Sequence, residues 1–262
     1  MMTGKYSVGI TLVGSGNLAW HLGHWIIEKG HQINGVVGRH DETVKELAAL
    51  FRCPWSVSLD AVGKEKGIVI LAVDDSQIQH VISYIAESPS LILHTSGSVG
   101  IDVFKGVCRN YGVFYPFQTF TRGMPLNYNE IPVCIESSDN ESLNTLKRFA
   151  GSLSDRVFEM DSRKRSRLHI SGIIMNNFFN HLANTTFRFM DKESISKDLI
   201  IPLIRETVHK LEMASPEKAQ TGPARRNDTD VISRHLDILK NDPELLEIYQ
   251  FMSSKIIAHY RH

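Results

Sequence analysis

The sequence has no excess of either charge, few cysteines and no apolar run long enough to span a bilayer. Its 29 basic residues balance its 29 acidic ones, which argues against a protein that mainly neutralises nucleic-acid phosphates or binds an anionic membrane surface. The longest apolar runs, such as residues 67–73, are far below the roughly 20 residues that a spanning helix needs. The apolar stretch 8–13 leads into a glycine turn and lacks the features of a signal peptide. We therefore expect a cytoplasmic protein that binds neither nucleic acid nor membrane.

The three cysteines, Cys53, Cys108 and Cys134, are too few and too scattered for a disulfide framework or a CxxC metal knuckle. We expect three buried free thiols in a reducing compartment and no metal site.

Strand-like and helix-like segments alternate over residues 1–160, whereas residues 161–262 contain only helical patterns. Such alternation is typical of a parallel sheet covered by helices on both faces. The sequence therefore predicts the α/β class, with a Rossmann-type, mostly parallel sheet over 1–160 and an all-α C-terminal domain over 161–262. The predicted strands are 6–13, 32–37, 66–73, 90–95, 112–115, 132–136 and 156–160. The predicted helices are 18–29, 41–51 with Asp41 as N-cap, 76–87, 140–152, 164–190, 197–214, 228–239 and 243–259.

A glycine turn between the first predicted strand and helix fits the pattern G-x-G-x-x-A over residues 14–19. The first glycine allows a tight turn, the second lets the backbone approach a diphosphate, and the small sixth residue lets helix and strand pack closely. Backbone amides and the positive end of the helix then hold the anion. The pattern predicts a dinucleotide held by Gly14, Ser15, Gly16, Asn17 and Leu18; the alternative is a glycine turn that binds nothing.

The end of the second predicted strand indicates which dinucleotide this is. A carboxylate there would bind a ribose 2′-hydroxyl, but this chain has Arg39, which can pair with a 2′-phosphate through two hydrogen bonds. The sequence therefore favours NADP(H) over NAD(H). In the alternative, Arg39 is an ordinary solvated residue and Asp41 reaches the ribose. His40 either adds a cation or stacks on adenine, or is a surface histidine.

Ligands of such sheets bind outside the carboxyl ends of the strands, so further strand ends should contribute. We expect Ala72 and Val73, after one buried strand, and Thr95 and Gly97, after the next, to contact the cofactor. The hydroxyl of Ser96 and nearby backbone amides could hold a developing oxyanion. The alternative for this second segment is a plain polar turn.

The helical segment 169–184 is unusual because four asparagines and two histidines interrupt an apolar pattern. At 100° per residue, one face carries His169, Ile173, Asn177, His181 and Asn184. The functional interpretation is that Asn177 orients a substrate while His169 or His181 exchanges a proton; the structural one is that these groups cross-link helices or subunits. A second face predicts a core stripe of Ile170, Ile174, Phe178 and Leu182.

The segment 220–228 combines a Gly-Pro turn with adjacent cations and ends in a helix cap, Asn227 or Asp228. It either binds an anion at the mouth of a cleft or is a structured loop between helices.

These motifs together, with residues 94–98 and 115–120, resemble a family of NADP-dependent oxidoreductases that join a Rossmann-like domain to an uncharacterised helical C-terminal domain. More distantly, the chain is similar to pyrroline-5-carboxylate reductases and β-hydroxyacid dehydrogenases, whose helical second domain dimerises and closes the cleft. The resemblance implies a homodimer formed through residues 161–262 and a substrate site in an interdomain cleft.

The chain departs from the β-hydroxyacid dehydrogenases at one catalytic position. They place a lysine one turn before an asparagine of this helix, and if Asn177 matches that asparagine, Ile173 stands in place of the lysine. Either His169 or His181 replaces it, or the substrate is of another kind, or catalysis has been lost.

We therefore predict an NADP(H)-dependent oxidoreductase that transfers hydride between nicotinamide and a small carbonyl or imine substrate. Its predicted catalytic residues are His169, Asn177, His181 and Ser96. The alternatives are a non-catalytic NADP(H)-binding sensor or scaffold and a deazaflavin-dependent NADP reductase.

Overall fold

The structure is a computed structural model that describes residues 8–62 and 66–261. Its strands are β1 (Gly9–Val13), β2 (Gln32–Val37), β3 (Trp55–Ser56), β4 (Ile68–Leu71), β5 (Leu91–His94), β6 (Tyr111–Pro116), β7 (Val133–Ser137) and β8 (Val157–Glu159). They form one eight-stranded sheet in the order β3-β2-β1-β4-β5-β6-β7-β8. Neighbouring strands are parallel except for β6 and β7, which are antiparallel. The predicted fold class is confirmed; Tyr6 and Ser7 of the first predicted strand lie outside the described residues.

The helices are α1 (Asn17–Glu28), α2 (Asp41–Phe51), α3 (Asp75–Ile85), α4 (Asn140–Leu153), α5 (Ser162–Gly172), α6 (Phe179–Lys192), α7 (Ile201–Met213), α8 (Pro216–Ala219), α9 (Pro223–Arg226), α10 (Thr229–Ile238) and α11 (Pro243–Tyr260). The expectation that Asp41 caps α2 is wrong, because His40 is the N-cap and Asp41 is the first helical residue. Asp228 caps α10 by accepting a hydrogen bond from the Val231 amide at 3.2 Å. In the described parts of the chain, no helix combines the length and apolar character needed to cross a membrane.

The centre of the sheet carries the core. All four residues of β4 and all four of β5 are buried, because helices cover both faces of a parallel sheet. One apolar cluster includes Trp25 and Phe149, and a second includes Val81 and Phe104. The strand order reverses between β1 and β4, and a crevice for ligands forms at such a switch point, outside the carboxyl ends of the strands.

Two compact units make up the chain, the first ending at Ile173 and the second beginning at Ile174. The first therefore contains the sheet and α1–α5, and the second contains α6–α11. Of the cysteines, Cys108 and Cys134 are buried as expected, whereas Cys53 is half-buried; all three are free thiols.

The helical stripe expected over residues 169–184 is wrong in two respects. Residues Ile173–Phe178 form a π-helix between α5 and α6, so a period of 100° per residue does not hold across them. The residues expected to form the core stripe are also exposed, by 53, 50, 61 and 38% for Ile170, Ile174, Phe178 and Leu182.

Candidate functional site

The glycine turn after β1 has a backbone that accepts only glycine at its first position. Gly14 has φ +122°, and its amide donates a hydrogen bond to the carbonyl of Val37 at 2.7 Å. A Cβ at Gly14 would lie 2.1 Å from the carbonyl oxygen of Ala72. The turn therefore fits between the ends of β2 and β4 only without a side chain.

The second glycine of the turn leaves open space in front of helix α1. Gly16 is the N-cap of α1, and a Cβ built on it would have nothing within 4 Å. Among the described residues, no side chain caps α1, and its first turn contains no acidic residue. The leading amides of the helix and its positive end are therefore available to an anion, and the open backbone fits a diphosphate.

A cavity of about 590 Å³ lies beside this turn, within the first unit. This volume is in the usual range for cofactor sites. The predicted cofactor residues that line the cavity are Gly14, Ser15, Gly16, Arg39, Ala72 and Val73. Asn17, Leu18, Thr95 and Gly97 were also predicted but are not part of its lining. Residues that the sequence analysis missed also line it, among them Thr43, Ser58, Asp74, Gln77, His80 and Tyr84.

Arg39 presents an exposed cation at this cavity. Its side chain is 67% exposed, with an Nη2 3.9 Å from a carboxylate oxygen of Asp74 and an Nη1 3.4 Å from the Gln77 amide oxygen. These contacts are long and exposed, so they hold the guanidinium only weakly. By contrast, Asp41 pairs with Lys45 at 2.5 Å and does not line the cavity.

The turn after β5 uses its own polar groups to hold its shape. The hydroxyl of Ser96 accepts hydrogen bonds from the amides of Ser98 and Val99 at 3.0 and 2.9 Å, and the Ser96 amide donates to Nδ1 of His94 at 3.2 Å. Thr95 donates its hydroxyl to the carbonyl of Leu71 at 2.9 Å. The amides of residues 96, 98 and 99 therefore bond within the turn and are not free for an oxyanion, whereas the role of Ser96 itself stays a prediction.

A buried arginine, which the sequence analysis missed, supports the same turn. Arg165 of α5 is 1% exposed and donates to the carbonyls of Ser96 and Val99 at 3.2 and 2.7 Å. It also pairs with Glu136 of β7 at 2.5 Å. Four of the five residues 163–167 are basic, and no local pattern distinguishes Arg165, the one that is buried.

The neighbouring His94 is fully buried and stacks on Phe104. Burial, helped by the charge of Arg165 and opposed by a backbone hydrogen bond with Gly100, lowers the pKa of His94 to about 3. His94 is therefore neutral at physiological pH and supplies no positive charge to the site.

His169, a predicted catalytic residue, lies against the turn after β5. A Cβ at Gly97 would be 2.6 Å from Cγ of His169, so the absence of a side chain there admits the ring. Nδ1 of His169 is 3.0 Å from the hydroxyl of Tyr115 on β6. Burial, with smaller contributions from Cys134 and Asp75 and against the charge of Arg165, raises the pKa of Tyr115 to about 12. Tyr115 is therefore a protonated phenol next to the imidazole.

The other predicted catalytic residues, Asn177 and His181, belong to the second unit. The amide oxygen of Asn177 accepts a hydrogen bond from Asn176 at 3.0 Å. Nε2 of His181 lies 3.2 Å from a carboxylate oxygen of Glu244. Their catalytic roles stay predictions.

The segment 220–228 also belongs to the second unit. There the guanidinium of Arg225 lies 4.0 Å from the ring centroid of Tyr260. This contact joins the segment to the end of α11, and both interpretations of the segment stay predictions.

The sheet order and the glycine turn at its switch point define the class of Rossmann-like proteins, and residues 1–115 match the Rossmann-like domain family. Residues 131–256 match a domain of unknown function, DUF2520. The chain is 35% identical in sequence to a protein from Bacteroides fragilis whose crystal structure is named "putative NADP oxidoreductase". The match covers 96% of this chain and 98% of the other, with a TM-score of 0.90. The chain belongs to the same family as that protein, which confirms the resemblance drawn from its motifs.

Two more distant structures share the fold alone. A 1-pyrroline-5-carboxylate reductase from Streptococcus pyogenes is 16% identical, with 97% of this chain and 98% of the other covered and a TM-score of 0.61. An imine reductase from Myxococcus stipitatus in complex with NADP+ is 13% identical, with 97% and 93% covered and a TM-score of 0.63. No curated protein sequence matches the chain.

Proposed function

We propose that this chain is an NADP(H)-dependent oxidoreductase that transfers hydride between nicotinamide and a small carbonyl or imine compound. The observation that carries the proposal is the open glycine turn at Gly14 and Gly16, beside a cavity with Arg39 on its lining. The name of the Bacteroides fragilis relative supports the same class of activity.

The residues around the cavity support a particular placement of the cofactor. The amides at the start of α1 would hold the diphosphate, and Arg39 would hold the 2′-phosphate of NADP(H). Asp41, which would favour NAD(H) by binding the ribose, is paired with Lys45 and lies off the cavity lining.

The reduced nicotinamide supplies a hydride to the substrate carbon, and the product is an alcohol or an amine once its oxygen or nitrogen takes up a proton. The chain's part is to orient the substrate and to protonate or polarise that atom. In the first unit, His169 is the candidate for this role, and Ser96 lies on the turn that His169 contacts. Asn177 and His181 are candidates from the second unit.

Replacing Arg39 with alanine tests the cofactor assignment. We expect NADPH affinity to fall by about 1–3 kcal/mol, the usual value of a charged hydrogen bond, and NADH affinity to change little. Calorimetric titration of the wild type and the variant with both cofactors measures this. The control is Arg122→Ala, a half-buried arginine of the first unit that pairs with Glu46 and does not line the cavity.

The same titration separates the alternatives. Equal loss of NADPH and NADH affinity in Arg39→Ala would contradict the 2′-phosphate assignment, and no binding of either cofactor to the wild type would contradict the whole proposal. Tight NADPH binding without oxidation by 2-oxo acids, aldehydes or cyclic imines would indicate a sensor or scaffold. NADPH oxidation by a deazaflavin alone would indicate a deazaflavin-dependent reductase.

We also propose that the chain is a homodimer formed through its helical unit. Among the described residues of that unit, the buried apolar side chains are only Met190, Ala224 and Leu239. Fourteen of its large apolar side chains are exposed, including those of Phe178, Leu203 and Met213. So much exposed apolar surface indicates a protein interface, and a second copy offers the same apolar surface in return.

Sedimentation velocity of the full chain tests the dimer. We expect a particle of twice 29.6 kDa at micromolar concentration, and a shift towards monomer for Leu203→Glu, which places a charge on α7. The matched control is Met124→Glu, an equally exposed apolar residue of the first unit, 60% against 63% for Leu203. A wild type that sediments as a monomer would contradict the proposal.

A further inference from the structure

We propose that Tyr115 fixes His169 as the tautomer with its proton on Nε2, so that the ring presents an N–H donor to the substrate. The inference deepens the proposed function by naming a residue that positions His169. What it says about the substrate rests on that proposed function. It follows from the hydrogen bonds that the two side chains can make, the packing of the ring and the charges around the pair.

The hydrogen-bonding groups of the two side chains decide which of them donates the hydrogen bond. Tyr115 is only 9% exposed. Among the described residues, the one hydrogen-bond partner of its hydroxyl is Nδ1 of His169. If Nδ1 carried the proton and donated it, the buried phenol hydrogen would have no acceptor, which costs about 1–3 kcal/mol. The arrangement that satisfies both groups has the phenol donating to Nδ1, and a neutral imidazole then carries its proton on Nε2.

The surroundings keep the phenol a donor and hold the ring in place. Burial raises the pKa of Tyr115 to about 12, so the phenol keeps its proton at physiological pH. Arg165 lies one helical turn before His169. Its guanidinium donates to the carbonyls of Ser96 and Val99 and not to the imidazole. Gly97 gives the ring its place, since any side chain there would collide with it.

The other imidazole nitrogen of His169, Nε2, is the atom that can act on a substrate. No described residue forms a hydrogen bond with Nε2 of His169, and the ring is half-buried against the turn after β5. Ligands of parallel sheets bind at this carboxyl edge of the strands. A neutral Nε2–H there can donate to the carbonyl oxygen or imine nitrogen of the substrate and polarise it, as fixed donors do in other enzymes.

Nitrogen NMR of the imidazole measures the tautomer directly and needs neither cofactor nor substrate. Two-bond ¹H–¹⁵N spectra of the labelled full chain are recorded at pH 8.5, and the His169 signals are identified by their loss in His169→Gln. We expect the wild-type ring to show Nε2 as the protonated nitrogen. In Tyr115→Phe, the ratio of the Nε2–H to the Nδ1–H form should fall by about fivefold.

The matched control is Tyr111→Phe on the same strand, because the described residues offer the Tyr111 hydroxyl no hydrogen bond and its ring stacks on Phe104. This variant should leave the His169 signals unchanged. A wild-type ring protonated on Nδ1, or an unchanged tautomer ratio in a folded Tyr115→Phe, would overturn the proposal, and the wild-type spectrum decides even if that variant does not fold.

Titrating the same samples with NADPH separates this inference from the proposed function. Tyr115 does not line the cavity, so Tyr115→Phe should bind NADPH within about twofold of the wild type. A wild-type ring protonated on Nδ1, or an unchanged tautomer ratio in Tyr115→Phe, together with intact NADPH binding would refute the role of Tyr115 alone. The predicted tautomer in a chain that binds no NADPH would refute the proposed function alone.

Discussion

Replacing Gly16 with alanine is expected to lower NADPH affinity by about 100-fold, or ~2.7 kcal/mol, without loss of the fold. The added Cβ meets nothing within 4 Å in the protein, and the backbone at Gly16 has φ −80°, which alanine adopts freely. The methyl group would instead occupy the space through which the diphosphate reaches the turn. Calorimetric titration measures the loss, and thermal unfolding verifies that the variant is folded.

Alanine variants of two other glycines show whether the effect on NADPH binding is specific to Gly16. Gly151→Ala is the matched control, because its Cβ also meets nothing within 4 Å but it lies in α4, away from the cavity lining. It should keep NADPH affinity and gain up to about 1 kcal/mol of stability, as alanine does in a helix. Gly14→Ala should instead unfold at a lower temperature, since its Cβ would lie 2.1 Å from a carbonyl oxygen. NADPH binding by Gly16→Ala with wild-type affinity would contradict the diphosphate assignment.

Replacing Arg165 with methionine is expected to lower the free energy of unfolding by about 3–5 kcal/mol. The change leaves the Glu136 carboxylate, 17% exposed, without its cation, and leaves the carbonyls of Ser96 and Val99 without their donor. Urea denaturation followed by circular dichroism measures the change, provided that the transition is two-state.

A double variant distinguishes loss of the ion pair from loss of packing. In Arg165→Met/Glu136→Leu neither charge remains, so we expect the double variant to regain part of the lost stability. Arg163→Met, an exposed residue of the same helix, serves as the control and should change stability by less than about 0.5 kcal/mol. A loss of that small size in Arg165→Met would show that the buried ion pair does not hold the turn after β5.

Much of the first unit could be predicted because its signals are local. The segments 32–37 and 41–51 have the predicted bounds, since apolar periodicity fixes a strand or a helix within a few residues. The glycine turn could be predicted for the same reason, because its φ of +122° and its close approach to β4 demand glycine whatever the rest of the chain does. The two-residue strand β3 was missed, because so short a segment shows no periodicity.

The sequence by itself determined the fold class, the place of the glycine turn and the cation that follows β2, since each depends on residues close together in the chain. Only the tertiary structure decided which basic residue of 163–167 is buried and which partner His169 has. Their contacts, Arg165 with Glu136 and His169 with Tyr115, join residues 29 and 54 positions apart. The burial of Arg165 and the direction of the Tyr115 hydrogen bond come from neighbours that the sheet assembles, and no local pattern of residues encodes them.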